Sequence, residues 1–342
     1  MNSTGPYKEY DEEIWSQFLE KVHINDPTLV LVVAKCTIFI VSLVGNLLTC
    51  IVIYCDRTMH TATNYYLFNM AVSDLIVTFS ILLEVDEYLS NSYQFGNLAC
   101  KVHFFCIVVL WNNSILVMTV LAVERYIAIW YPMLLKTKVK RVMKVITALW
   151  VVAILETLPE IWGVELVKSK TVAICFTVPT PYSRIVNGIL AVVTFILPLG
   201  IMLFVYTMIA LKINDTEKPN SNSAVFNHKR NRGRVNKLIV VLTLSFLICW
   251  MPFFTFRVVI FAYDMHQQIL LDELWRIGFQ VMMITNWLSV VLNPIIFSLI
   301  STKFRKSLEM LWRRKMRKEP ITDVKGNTVI WVSARNAKCT QV

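Results

Sequence analysis

Seven apolar runs, each long enough to cross a hydrocarbon layer of about 30 Å as a helix, constrain this chain more than any other feature. They are Leu29–Cys55, Asn64–Glu87, Leu98–Trp130, Val142–Trp162, Ile185–Lys212, Val235–Phe261 and Leu274–Ile300. Inside lipid the backbone must satisfy its own polar groups, so each run predicts one helix. The expected fold is therefore an all-α membrane protein, a seven-transmembrane helix bundle. Composition agrees: 56% of residues are hydrophobic and 17% charged, which excludes an ordinary soluble domain and a disordered chain. The third run carries Asn112, Asn113 and Ser114, so it is expected to be surrounded by protein rather than lipid. From Thr302 to Arg314, Phe304, Leu308, Leu311 and Trp312 oppose Lys303, Arg305, Lys306 and Arg313, the pattern of a helix lying along the membrane surface. The chain thus divides into a polar N-terminal segment (1–28), a seven-helix domain (29–300), a surface helix (301–314) and a basic tail (315–342). Residues 1–28 lack the apolar core of a cleavable signal, so the first run is expected to act as its own insertion signal.

Charge sets the orientation. Lys136, Lys138, Lys140, Arg141 and Lys144 follow the third run; Lys229, Arg230, Arg232, Arg234 and Lys237 follow the fifth; Lys303, Arg305, Lys306 and Arg313 to Lys318 follow the seventh. The other side holds Glu9, Asp11, Glu12, Glu13, Glu20 and Asp26, then Glu84, Asp86 and Glu87. Cationic loops stay in the cytoplasm, which places the N-terminus outside and the protein in the plasma membrane. The net charge of +11 is then a topological signal, with anionic inner-leaflet lipid as partner and no nucleic acid. Cys100 and Cys175 both fall on the oxidising side. A bridge between them would pin the outer loop across the bundle and contribute roughly 3–5 kcal/mol. Cysteines and histidines show no metal-site spacing, and Asn2-Ser3-Thr4 is a glycosylation acceptor on the outer side.

The third run ends in Glu124-Arg125-Tyr126, a charged pair at the mouth of an apolar helix that must meet polar protein or water. Around it stand Gly45-Asn46, Asn69 through Asp74, Trp150, Pro198, Tyr206, Phe246-x-x-Cys249-Trp250-x-Pro252 and Asn293-Pro294. In order and spacing these resemble the rhodopsin-like G-protein-coupled receptors over about residues 29 to 314. The resemblance implies that Arg125 is held by Glu124 at rest and released toward a heterotrimeric G protein on activation. It further implies that Trp250 and Phe246 repack beneath a ligand as the sixth helix swings outward, and that receptor kinases and arrestin follow. Pro252 and Pro294 each remove a helix hydrogen bond where a hinge is useful. The chain departs from the family in reading Phe297 where a tyrosine normally closes the Asn-Pro-x-x-Tyr motif.

Asp74 is an acid deep in a membrane helix, costly unless paired or bound to a cation. Ser114, Ser289 and Asn293 stand where family members complete a sodium-and-water site, which makes sodium a candidate allosteric ligand. A protonated Asp74 bonded to its neighbours is the other reading. No other cofactor is expected.

Two ligand classes are excluded by position. The aspartate that holds an amine ligand in aminergic members is matched by Ile107, and the retinal lysine of opsins by Trp287. What remains near the outer mouth is charged and aromatic: Lys35, Glu84, Asp86, Glu87, Arg184, Arg257, Tyr263, Trp275 and Trp287, with Ile107 and Phe253 as further candidate ligand contacts. A cavity ringed by both signs suits a peptide. Lys35 and Glu84 sit in apolar runs, so each needs a partner: a ligand, or one another. Glu156 is expected to bond Asn112 or Asn113.

Thr61-x-Thr63-Asn64-Tyr65-Tyr66-Leu67-Phe68, Val123 to Ile129 and Phe246 to Phe253 with Arg257 are similar to the neuromedin U, pyrokinin and capability-peptide receptors. That group implies an amidated peptide ending in arginine and calcium signalling through the Gq class. Trp130-Tyr131-Pro132 departs from the group's Cys-His-Pro, and Leu83 from its helix-two proline. A receptor for a small molecule or lipid is the alternative, and a transporter a more distant one, although paired repeats and interrupted helices are not evident. Five scattered histidines with no nucleophile beside them argue against an enzyme. Thr340-Gln341-Val342 fits a PDZ ligand.

Overall fold

The computed structural model describes residues 29–90, 92–131, 139–168, 173–178, 180–215, 223–263, 272–316, 320–322 and 329–331. Asn2, the side chain of Phe246 and the tail triplet Thr340-Gln341-Val342 lie outside what is described. The helices are α1 (Leu29–Cys55), α2 (Ala62–Ser90), α3 (Gly96–Trp130), α4 (Val139–Thr157), α5 (Pro181–Ala191), α6 (Leu197–Asp215), α7 (Ser223–Ala262), α8 (Asp272–Ile300) and α9 (Thr302–Met316). α5 and α6 are the two halves of the fifth run, joined through a π turn at Val192–Ile196. Six spans among the described residues are long and apolar enough to cross a membrane; the sixth run contributes a shorter apolar stretch, Thr243–Val259, within α7.

α3 sits at the centre. In its most apolar stretch 67% of residues are buried, against 28% in α1 and α4, so it is the helix that lipid barely touches. Its polar residues face neighbours as the sequence requires. Asn112 Nδ2 donates to Thr157 Oγ1 (3.0 Å) and Asn113 Nδ2 to Ser73 Oγ (3.3 Å). Glu156 was the expected partner of these asparagines and is not: its Oε2 is buried without a hydrogen bond, because Thr157, one residue on, takes Asn112. Trp150 Nε1 donates to Asn69 Oδ1 (2.9 Å), tying α4 to α2. Asn46 Nδ2 donates to the Val290 carbonyl (3.0 Å), tying α1 to α8. Gly45 makes that contact possible, since a Cβ there would lie 2.9 Å from Pro294 Cγ.

On the outer side β1 (Val164–Lys168) and β2 (Ala173–Thr177) form an antiparallel hairpin with Leu166 opposite Cys175. Cys175 is bridged to Cys100 at the start of α3, their Cα atoms 5.5 Å apart. Asn97 accepts from the Leu166 amide (2.9 Å), and Lys101 pairs with Glu165 (2.8 Å), so the hairpin is fixed to α3 at three points. Gly96 has φ +81°, a left-handed turn that starts α3 and that a side chain would strain. At the inner end, α9 buries Phe304 and Ser307 and exposes Met310 and Trp312. Ser307 bonds Asp56 in the loop between α1 and α2. Burial alone would push the Asp56 carboxyl up, but hydrogen bonds from Ser307 and Thr58 hold it below its ordinary value.

Because one bridge anchors the hairpin, Cys100→Ser and Cys175→Ser should lose surface expression to a similar degree, and the double variant should be no worse than either. Surface labelling of the three variants checks this; additive losses would contradict it.

Candidate functional site

The outer halves of α2, α3, α5, α7 and α8 enclose a cavity of about 170 Å³, roofed by Cys175, Phe176 and Thr177 of the hairpin. Apolar and aromatic groups make most of its wall, among them Ile107, Val108, Trp111, Phe253, Phe256 and Met282. Three carboxylates also reach it (Glu84, Glu87 and Glu160), with one guanidinium, Arg257.

Their pairing decides what charge the cavity offers a ligand. Arg257 Nη2 lies 2.7 and 2.8 Å from the two oxygens of Glu160, and Nη1 donates to Asn187 Oδ1 (3.1 Å). Both side chains of this ion pair are 4% exposed, and the guanidinium stacks over Phe253 at 4.9 Å. Glu84 Oε2 receives Lys35 Nζ (3.0 Å) and Trp287 Nε1 (2.9 Å). Internal pairing is thus the geometry seen for Lys35 and Glu84. Glu87 accepts a backbone bond from Cys175 and makes no ion pair among the described residues. The cavity therefore carries one carboxyl group outside a direct ion pair, within the field of the Lys35 ammonium that bonds Glu84.

Of the residues the sequence nominated as ligand contacts, Glu84, Glu87, Ile107, Phe253 and Arg257 line the cavity. Lys35 and Trp287 act one step back, through Glu84. Arg184 instead donates to the Phe261 and Ala262 carbonyls at the end of α7 (3.1 and 3.4 Å), which occupies its guanidinium as a helix cap. Sequence reasoning missed Glu160, Asn187, His103, Trp111 and Asn286. Glu160 had a readable signal: it stands one helical turn beyond Glu156, after Pro159, where an acid was needed to answer Arg257.

Beneath the cavity Trp250, 1% exposed, meets Trp111 edge-on at 5.0 Å and Phe253 at 5.7 Å. Deeper still, Asn293 Nδ2 donates to Asp74 Oδ2 (3.0 Å). The Ser114 and Ser289 hydroxyls donate to carbonyls of their own helices, at Leu110 and Asn286. At the inner mouth Glu124 accepts from the Tyr66 hydroxyl (3.1 Å) and makes no ion pair with Arg125, whose Nε is buried without a hydrogen bond. Glu124 thus bonds Tyr66 directly, while its charge still attracts the neighbouring Arg125 without a close ion pair. Tyr206 and Thr243 share a hydrogen bond (2.7 Å) between α6 and α7, and Tyr126 packs on Trp130, over which Lys212 Nζ sits at 4.8 Å. Phe297, 2% exposed, packs on Phe304 of α9 at 4.8 Å. Pro252 and Pro294 lie inside α7 and α8.

The profile of the 7 transmembrane receptors (rhodopsin family) matches residues 45–297. The chain belongs to that family. It is 32% identical to the neuromedin-U receptor 2 of Rattus norvegicus over 296 residues, 82% of this chain and 74% of the relative. To the neuromedin-U receptor 1 of Mus musculus it is 29% identical over 339 residues, 88% and 78% of the two chains. To the substance-P receptor of Homo sapiens it is 27% identical over 296 residues, 83% and 71%. The receptor is accordingly a multi-pass membrane protein of a class that is not enzymatic.

Two outcomes follow from this geometry. Glu160→Gln leaves Arg257 buried without its counter-ion and should destabilise the purified receptor by about 3–5 kcal/mol, while Glu160→Leu with Arg257→Met should recover most of the loss. Thermal unfolding of the three proteins measures it. Phe297→Tyr restores a hydroxyl that can bond toward Tyr206 when the helices rearrange. One such bond, present in one state and contributing roughly 0.5–1.5 kcal/mol, should raise basal signalling about two- to tenfold at equal surface expression. Adding Tyr206→Phe should abolish the gain; a gain that persists would rule out the bridge.

Proposed function

We propose that this receptor binds a cationic neuropeptide from outside the cell and relays the event to a heterotrimeric G protein. The observation that carries the reading is the cavity wall, where Glu84 and Glu160 are ion-paired with Lys35 and Arg257 while Glu87 makes no ion pair among the described residues. A site of that balance takes a ligand bearing a positive side chain or terminus, steered in by charge. Relatives named for neuromedin U and for substance P support a peptide of this kind. Gq coupling with a calcium response is the expected output. The inner half of α7 moves outward about Pro252, freeing Arg125 for the G protein, and receptor kinases and arrestin terminate the signal. The N-terminus faces outward in the plasma membrane, with glycan on Asn2. Sodium, if bound, uses the Asp74 carboxylate with oxygens of Ser114, Ser289 and Asn293 and favours the resting state; Asp74 already shows one polar contact of such a cluster, to Asn293. The Thr340-Gln341-Val342 end recruits a PDZ domain, and the basic face of α9 meets anionic lipid.

The test is a calcium assay in expressing cells against neuromedin U and a panel of other neuropeptides. Glu87→Gln should right-shift the dose–response of the active peptide by about tenfold, more at low than at high salt. Unchanged potency would move cation recognition off Glu87. Silence across the whole panel, at confirmed surface expression, would count against a peptide ligand.

A further inference from the structure

Ser307 lies on the inward face of α9, 2% exposed, and its hydroxyl bonds the Asp56 carboxylate in the loop between α1 and α2. Against the upward push of burial, hydrogen bonds from Ser307 and Thr58 keep Asp56 charged. Among the described residues of α9, Ser307 is the only buried polar side chain, and it is set against an anion. The other attachments of α9 are apolar or electrically simple. Phe304 packs on Phe297, Leu308 and Leu311 are half-buried against the core, and Arg305 donates to the Ser298 carbonyl (3.3 Å). α9 is also a helix in its own right: Ser301 separates it from α8 and caps it by accepting from the Phe304 amide (3.2 Å). It can therefore leave the bundle by turning about Ser301, without unwinding α8. Lys303, Arg305 and Lys306 precede Ser307 and are exposed, and Glu309 is the only acid among the 15 residues of α9.

We propose that Ser307 is a phosphorylation site, and that Asp56 turns its phosphate into a switch that detaches α9 from the α1–α2 loop. This rests on α9 facing the cytoplasm and on nothing about the ligand. A serine preceded by three cations suits a kinase whose substrate groove is acidic. Such a kinase reaches Ser307 while α9 is off the bundle. Ser307 Oγ then attacks the γ phosphorus of ATP: one O–P bond forms, the bond to the bridging oxygen of ADP breaks, and the hydroxyl proton passes to the kinase's base. In the docked helix that proton is the one shared with Asp56. The phosphorylated oxygen has none to give, and it brings roughly 1.5 to 2 negative charges against a carboxylate. Redocking would press like charges together out of water, so α9 stays away from the loop. Off the bundle the phosphate meets Lys303, one turn earlier on the same side of α9. A backbone carbonyl would hold a serine hydroxyl as well as Asp56 does. An acid holds the serine and rejects its phosphate.

The test uses the full-length receptor in lipid nanodiscs, incubated with ATP and the catalytic domain of protein kinase C, which selects basic sequences. Mass spectrometry should find phosphate on Ser307, none there in Ser307→Ala, and faster incorporation in Phe304→Ala, whose α9 is held less firmly. Hydrogen exchange then reads the switch. A 15-residue helix off the bundle frays, so α9 amides should exchange about tenfold faster in the phosphorylated receptor and in Ser307→Glu. Ser307→Gln, of the same size without the charge, should stay close to wild type, and adding Asp56→Asn to Ser307→Glu should restore protection. A serine that only anchors α9 predicts equal loosening by Gln and Glu and no rescue by Asp56→Asn. That result would overturn the switch, as would a phosphorylated receptor whose α9 exchanges like the unmodified one. Absence of phosphate on Ser307 in both wild type and Phe304→Ala would overturn the site. If Ser307→Glu fails to fold, exchange in the phosphorylated wild type, with and without Asp56→Asn, decides the switch. Nanodiscs leave both faces open to the kinase, so staining of a C-terminal epitope tag in unpermeabilised cells would count against the cytoplasmic placement alone.

Discussion

A helix in hydrocarbon gains nothing by hiding leucine, so the arrangement of this bundle rests on a few polar side chains that cross between helices. Asn46 reaches the Val290 carbonyl, Asn69 takes the Trp150 indole, Asn113 takes Ser73, and Asn293 holds Asp74. Each is cheap to make and costly to leave unmade where water is scarce. Together they join α1, α2, α3, α4 and α8 through the middle of the membrane. α6 and α7 meet through Tyr206 and Thr243 nearer the cytoplasmic end, and α7 is anchored outside by Arg257 on Glu160 and Asn187. α7, with Pro252 in its interior, is thus held firmly at the end where a ligand would arrive.

The fold was legible because lipid makes its demands in lengths and periods. Runs of apolar residues, intramembrane asparagines and loop lysines each have one physical solution, and the helices follow the runs closely. The central place of α3 could be read from Asn112 and Asn113 alone, since lipid would not accept them. The site was harder. Lys35 and Glu84 could each have faced a ligand, and only three-dimensional placement shows them satisfying one another. Glu156 and Glu160 look alike as intramembrane acids one turn apart. Rewinding of the chain at Leu158–Gly163 turns Glu160 toward Arg257 and leaves Glu156 with an unbonded oxygen. Arg184 looked like a ligand contact and is a cap on α7, a role set by where two helix ends meet and by nothing local. Asn286 carries no sequence signal at all, because what sets it apart is a buried side chain with no hydrogen-bond partner among the described residues.

Charge in the cavity is governed by the same economy. Two acids are neutralised from within, so the wall can be mostly apolar without leaving Glu84 or Glu160 stranded. The hairpin adds the roof through its bridge to Cys100, and its Cys175 amide also supports Glu87. One short strand therefore sets the height of the cavity and the position of Glu87 at once.

The π turn at Val192–Ile196 has a consequence for how this receptor could diverge. A π turn holds one residue more than the helical turn it replaces. Losing a single residue there would let α5 run straight into α6 as ordinary helix with the faces above and below still in phase, whereas the same loss from an α-helical turn would rotate every residue below by roughly 100° about the axis. Asn187, above the turn, would still meet Arg257, and Tyr206, below it, would still meet Thr243. The π turn thus absorbs a one-residue change in length that would otherwise act as a phase shift between the face of one helix that sees the ligand and the face that sees the cytoplasm.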